Sequence, residues 1–276
     1  MLSSPLDERA SSRLGGHVLE IDHFSYGLLT PAVAYVMSFT GSLLGLRCMA
    51  RVRDGSARNG WLIAAAVAIG GTGIWVMHFV AMLGFRIHGA SIRYDVPVTI
   101  FSAIVAMLVV WVGLALTQQR ALGGSALLLG GTIAGAGVGV MHYSGMYAMK
   151  TDAIIGYDGS LVVLSLVIAV AASITALWFT LHVRGTLATI GAAAVMGVAV
   201  AGMHYTGMFA MHAQPSGHAH VPSGAGAAQL LTPLIVTVSL ITVGMLLHLG
   251  ITEVNEPDPR PIRHSPATEH HWPTRG

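Results

Sequence analysis

The sequence predicts an all-α membrane protein of seven transmembrane helices, built as three parallel two-helix repeats plus a seventh helix. Three observations carry this. Of the 276 residues, 54% are hydrophobic and only 9% are charged, against about 25% charged in an ordinary soluble domain. Seven apolar runs reach the ~20 residues needed to cross a bilayer. One short phrase recurs at the ends of the second, fourth and sixth runs, with its histidines 64 and 62 residues apart. That spacing holds two membrane crossings and their loops, so each phrase returns to the same side and depth of the bilayer.

The runs are expected at about 27–47, 60–84, 97–117, 124–147, 160–183, 186–210 and 229–250. Pro31, Pro97 and Pro233 fall near helix starts, where a missing N–H costs little. Only Val183-Arg184-Gly185-Thr186 separates the fifth and sixth runs, so these two helices are expected to form a tight antiparallel pair. Residues 1–26 carry several charges and no apolar h-region, so no cleavable signal peptide is expected, and this segment reads as extracytoplasmic. Residues 27–250 form the membrane domain. Residues 251–276 hold five prolines and mixed charge, as expected of a disordered cytoplasmic tail; His270 and His271 within it are read as incidental. The single cysteine, Cys48, excludes an intramolecular disulfide and a Cys-rich metal site.

Orientation follows from basic residues in short loops. Arg47, Arg51, Arg53, Arg58, Arg120 and Arg184 flank one face, and Arg86, Arg93 and Lys150 flank the other. The richer face is expected to be cytoplasmic. The N-terminus then lies outside, the C-terminus lies inside, and all three phrases end near the outer surface. The protein is expected in the cell's inner (plasma) membrane as a multi-pass chain. Its net charge of +2 comes from few charges and does not point to nucleic acid.

The phrases read Met77-His78-Phe79-Val80-Ala81-Met82, Met141-His142-Tyr143-Ser144-Gly145-Met146 and Met203-His204-Tyr205-Thr206-Gly207-Met208, the last two continuing to Met149 and Met211. Helix positions i, i+4 and i+7 share a face. His142, Met146 and Met149 therefore line one face, as do His204, Met208 and Met211; in the first phrase the set is His78, Met82 and Phe85. Met77, Met141 and Met203, one residue before each histidine, point about 100° away. Eight of the fourteen methionines fall in the phrases, more than core filling requires. The candidate metal ligands are thus His78, His142 and His204 with Met77, Met82, Met141, Met146, Met149, Met203, Met208 and Met211. Thioether with imidazole favours copper. Neutral ligands also suit an apolar setting, because no carboxylate has to be desolvated. The competing reading is packing around a repeat axis.

Glycines precede each phrase at Gly70, Gly71 and Gly73, at Gly135, Gly137 and Gly139, and at Gly197 and Gly202; they are expected to let the helices approach closely. Tyr143 and Tyr205 are either interfacial aromatics or hydroxyl partners of ligand histidines. His212, His218 and His220 in the sixth loop are read as a solvated loop with a secondary capacity to catch an ion. His182 and His248 are read as anchors at the cytoplasmic ends. His23 and His88 lie on the outer side, with no pattern tying them to the site.

The tripled phrase resembles the MHYT domain, a bacterial integral-membrane sensor module. Met203-His204-Tyr205-Thr206 matches its name motif in full, Met141-His142-Tyr143-Ser144 differs by Thr to Ser, and Met77-His78-Phe79-Val80 keeps the first two residues. The resemblance covers about residues 23–250. It implies copper held by these Met and His residues near the outer face, with sensing of oxygen, carbon monoxide or nitric oxide. It also implies a cytoplasmic signalling domain, which this sequence does not carry, so output is expected through a separate partner and no enzyme activity is expected of this chain. Three other functions compete. A copper-handling or transport protein would need polar or sulfur groups through the membrane depth, and only Met37, Met107, Met196 and Met245 are scattered there. A membrane oxidoreductase subunit would use the histidines as haem ligands. A scaffold would use none of this chemistry.

Overall fold

The computed structural model describes residues 18–55, 58–119, 123–216 and 222–255. Seven helices are long and apolar enough to span a membrane. They are α1 (Leu29–Arg53), α2 (Arg58–Leu83), α3 (Val96–Thr117), α4 (Ser125–Ala148), α5 (Gly159–His182), α6 (Thr186–Phe209) and α7 (Ala227–Asn255). The fold is the expected all-α membrane class.

Three ends differ from the sequence expectation. Helix α1 runs to Arg53, beyond position 47, and Arg53 packs against the end of α5, where it donates to the carbonyls of Thr180 and Val183. Cationic side chains are favourable against such unpaired carbonyls. Pro233 lies inside α7 rather than near its start. Helix α7 itself continues to Asn255, five residues into the stretch expected to be tail. The rest of that tail, Arg120, His218 and His220 lie outside the described residues.

Each helix of the first six packs on the next, and α1 packs on α6, so α1 closes the ring and α7 stands outside it. Small residues set the spacing. A Cβ added at Gly70 would lie 2.6 Å from the Ala106 carbonyl oxygen of α3, and one at Gly135 would lie 2.5 Å from Val170 Cα of α5. Helix α2 is the most enclosed, with 83% of its apolar window buried against 17% for α5 and α7. Its middle, Val67–Val76, is a π-helix. Stretches of this kind are usually a single turn and occur often at functional sites. Within it the Thr72 hydroxyl pairs with that of Thr242 on α7 at 2.5 Å, and Trp75 Nε1 donates to Ser102 Oγ on α3 at 3.0 Å. The wide helix ends at Val76, directly before Met77-His78.

Short antiparallel strand pairs cover the end of the bundle where the phrases lie. Strands β1 (Ile21–Asp22) and β2 (Arg86–Ile87) pair, as do β3 (Ile92–Tyr94) and β4 (Met149–Thr151), and β5 (Ala153–Tyr157) and β6 (Met211–Pro215). None was expected from the sequence. Two of them lead directly into helices. Asp95 accepts from Val98 N–H at 3.1 Å and caps α3. Asp158 accepts from Ser160 and Leu161 N–H and caps α5, and the bonds from Ser160 and Leu161 hold its carboxyl below its ordinary pKa.

Candidate metal centre

Helices α2, α4 and α6 each deliver one histidine to the axis of the ring. His78 Nδ1 lies 3.0 Å from His204 Nδ1 and 3.2 Å from His142 Nδ1. One ring nitrogen from each of the three falls within 4.8 Å of the others. Each ring meets the other two edge-to-face, with centroids 4.9–5.2 Å apart. All three residues are 1% exposed. The sequence expectation that they converge is met.

Two glycines that sequence reading passed over make this possible. A Cβ at Gly145 would stand 2.5 Å from His78 Nε2, and one at Gly207 would stand 2.3 Å from His142 Nε2. Each lies three residues after the histidine of its own phrase. The histidine of one repeat is therefore seated in the glycine notch of the next. The equivalent residue of the first phrase is Ala81. The signal was present in the sequence as the shared Gly-Met of the second and third phrases.

The Nε2 atoms of all three histidines are buried and without hydrogen-bond partners. A neutral imidazole carries one N–H and one lone pair. Whichever tautomers are chosen, hydrogen bonds among the three Nδ1 atoms leave buried nitrogens unpaired, at a cost of about 1–3 kcal/mol for each. A cation among the Nδ1 atoms would engage three lone pairs at once. Three imidazoles at bonds of about 2.0–2.1 Å would hold their nitrogens about 3.5 Å apart, close to the contacts of 3.0 and 3.2 Å. The donor set thus fits a metal ion that accepts imidazole.

The eight phrase methionines are all buried in the same core. Met203 also borders an apolar void of about 50 Å³ shared with Val138, Met196 and Val200. The Tyr143 hydroxyl pairs with Ser165 Oγ on α5 at 2.7 Å, so it serves helix packing rather than a histidine. The Tyr205 hydroxyl is buried and unpaired. His182 stacks on Trp178, and His248 stacks on Trp61, in keeping with anchoring roles. His212 lies in β6 opposite Gly156. His88 is exposed. His23, which no pattern had tied to the site, packs edge-on against Phe209 at 4.8 Å. Burial holds its pKa below the ordinary value, partly offset by Asp22.

The fold and the histidine cluster define a polytopic membrane domain with a threefold repeat and a buried site suited to a metal. The sequence places it among known proteins. The family model MHYT, described as a bacterial signalling protein N-terminal repeat, matches residues 71–130, 135–193 and 197–256, and the chain belongs to this family. The model frames each unit from the phrase-bearing helix onward, so α7 completes the third unit. The chain is 35% identical over 237 residues to the bifunctional diguanylate cyclase/cyclic di-GMP phosphodiesterase MucR of Pseudomonas aeruginosa, covering 83% of this chain and 34% of that protein. It is 33% identical over 207 residues to the cyclic di-GMP phosphodiesterase NbdA of the same organism, covering 72% and 26%. It is 31% identical over 197 residues to the signalling protein YkoW of Bacillus subtilis, covering 68% and 24%. The chain thus spans about a third or less of these relatives. No solved structure matches it.

Proposed function

We propose that this domain is a copper-binding membrane sensor of a diatomic gas or of redox state, and that it signals through a separate cytoplasmic partner. The observation that carries the reading is the convergence of His78, His142 and His204 Nδ1 in a site 1% exposed. Copper suits imidazole donors in either oxidation state, and thioethers nearby favour Cu(I). When bound, it would supply a redox-active centre with room for a diatomic ligand. The protein groups do the rest. The glycine notches fix the ring positions. The apolar walls keep water out, and the void beside Met203 suits a small uncharged molecule. Phe79 meets the His78 ring edge-on at 4.7 Å and holds it upright.

His78 also links the site to the rest of the molecule. It follows the π-helical stretch whose Thr72 pairs with Thr242 of α7. A displacement of His78 therefore acts on α7, the helix that leads out of the bundle. The names MucR and NbdA bear, a cyclase and phosphodiesterases of cyclic di-GMP, support a signalling output of that class, supplied by another polypeptide. In this reading the chain itself is not an enzyme, and it lies in the inner membrane with the phrases toward the outside.

Other readings fit less well. Two nitrogens 3.0 Å apart leave no slot for a porphyrin between facing histidines. Ion-coupled transport calls for intramembrane carboxylates, and among the described residues no Asp or Glu is buried.

The test is copper content in His78→Ala, His142→Ala and His204→Ala variants, singly and together, compared with single Met→Leu variants. Each histidine is unique in its phrase, whereas thioethers are several and weaker, so each His→Ala variant should lose more copper than any Met→Leu variant. Normal copper in the triple variant would mean that the phrases serve packing.

A further inference from the structure

Four residues before each triad histidine stand Ile74, Val138 and Val200. On a helix that step is about one turn along the same face. All three border the apolar void of about 50 Å³. The void therefore lies on the axis of the ring, about one turn from the histidines on the side away from the strand pairs. Met203, the residue before His204, borders it as well.

Two departures from the threefold order open this space. The first is the π-helix of α2. Ile69 and Ile74 both border the void, yet five residues of α-helix would set them about 140° apart. The wider turn of Val67–Val76 brings both to one face. The second departure is in α5. Ser38, Ser102 and Ser165 are fully buried at matching places in α1, α3 and α5. Eight residues further stand Leu46, Val110 and Ser173, and eleven further stand Met49, Gly113 and Ala176. Helix α5 alone is small at both places, and its Ser173 and Ala176 border the void.

We propose that this void is a binding site for one small apolar molecule that dissolves in the bilayer. The lining from α2, α3 and α4 is buried throughout. On the seam of α5 and α6, Ala172, Ser173, Ala176, Ala199 and Val200 are only half-buried. The void is thus sealed toward the bundle and thinly walled toward lipid. Its lining holds two hydroxyl side chains, Ser173 and Thr180, and that of Thr180 is spent on the Leu177 carbonyl at 2.7 Å. A buried water needs two to four polar partners, so the void is dry. A void of about 150 Å³ admits benzene; at a third of that volume this one suits a diatomic gas or a noble-gas atom. Occupancy needs no metal. Only the use of the void as an antechamber to the triad rests on the sensor reading above.

The full chain in lipid nanodiscs, prepared without copper, is equilibrated with hyperpolarised xenon and read by saturation-transfer NMR. The wild type should show a bound-xenon resonance separate from the lipid and water signals. Ser173→Leu gives α5 the residue that α1 carries at that place, and should abolish the resonance. Val200→Ala widens the void, and should keep the resonance but shift it. Should Ser173→Leu fail to fold, Val200→Ala decides, since it removes volume rather than adding it. No bound xenon in the wild type, an undiminished resonance in folded Ser173→Leu, or an unshifted one in Val200→Ala overturns the site. Copper uptake is measured separately on the same preparation. Bound xenon with a triad that takes up no copper upholds the void and rejects the sensor reading. Copper at the triad without bound xenon rejects the void alone.

Discussion

Gly145→Ala tests whether the histidine rings are positioned by the next repeat. The added Cβ would lie 2.5 Å from His78 Nε2 and 3.1 Å from its Cδ2. Ordinary contact needs about 3.5 Å, so the ring must retreat by about 1 Å. It has little freedom to do so, because its Nδ1 contacts the other two histidines and its face meets Phe79. Metal–ligand distances tolerate about 0.2 Å. The expected result is a loss of copper affinity of about 10–100-fold, the range seen when groups that orient ligands are altered. The overpacking should cost about 1–3 kcal/mol of stability. Affinity is read by competition with a chelator and stability by thermal unfolding in the same detergent. Gly202→Ala is the control, since a Cβ there meets nothing within 4 Å although it lies two residues from His204. Wild-type affinity in Gly145→Ala, or an equal loss in Gly202→Ala, would refute ring seating by the glycine notch.

Thr242→Val removes the partner of Thr72 and should loosen α7, costing about 0.5–2 kcal/mol and speeding hydrogen exchange in that helix more than in α4. Asp95→Ala removes the side-chain cap of α3 and should cost about 1 kcal/mol, with no change in metal stoichiometry. For orientation, Ser223→Cys should react with an impermeant thiol reagent from outside whole cells and Thr186→Cys should not, in a Cys48→Ser background. The reverse pattern would place the phrases on the cytoplasmic face.

What the sequence disclosed and what it hid divide along physical lines. Helix existence was legible because a membrane span needs a long apolar run, and every expected core of a run is helical. Helix ends were less so, since Arg53 was counted as loop, whereas it is helical and bonds to the carbonyls ending α5. The histidine cluster was legible because repeats in register place like residues at like depth. The π-helix in α2 was not, because Val67–Val76 reads as an ordinary apolar, glycine-containing membrane run and nothing in it marks a wider turn. The strands escaped notice because they are short, lie between helices, and gain their partners from distant parts of the chain. His23 was set aside for the same reason: its contacts with Phe85 and Phe209 follow from the pairing of β1 with β2, which only the fold supplies. Tyr143 shows the converse, a residue placed beside the site by sequence whose hydroxyl bonds to Ser165 instead.

The most direct test of the proposed centre is elemental analysis of the purified wild-type chain together with the visible spectrum of the same sample. Stoichiometric copper without a haem Soret band is expected, with the copper lost when His78, His142 and His204 are replaced together. A sample free of copper after growth and purification in copper-replete medium, or one bearing haem, would contradict it.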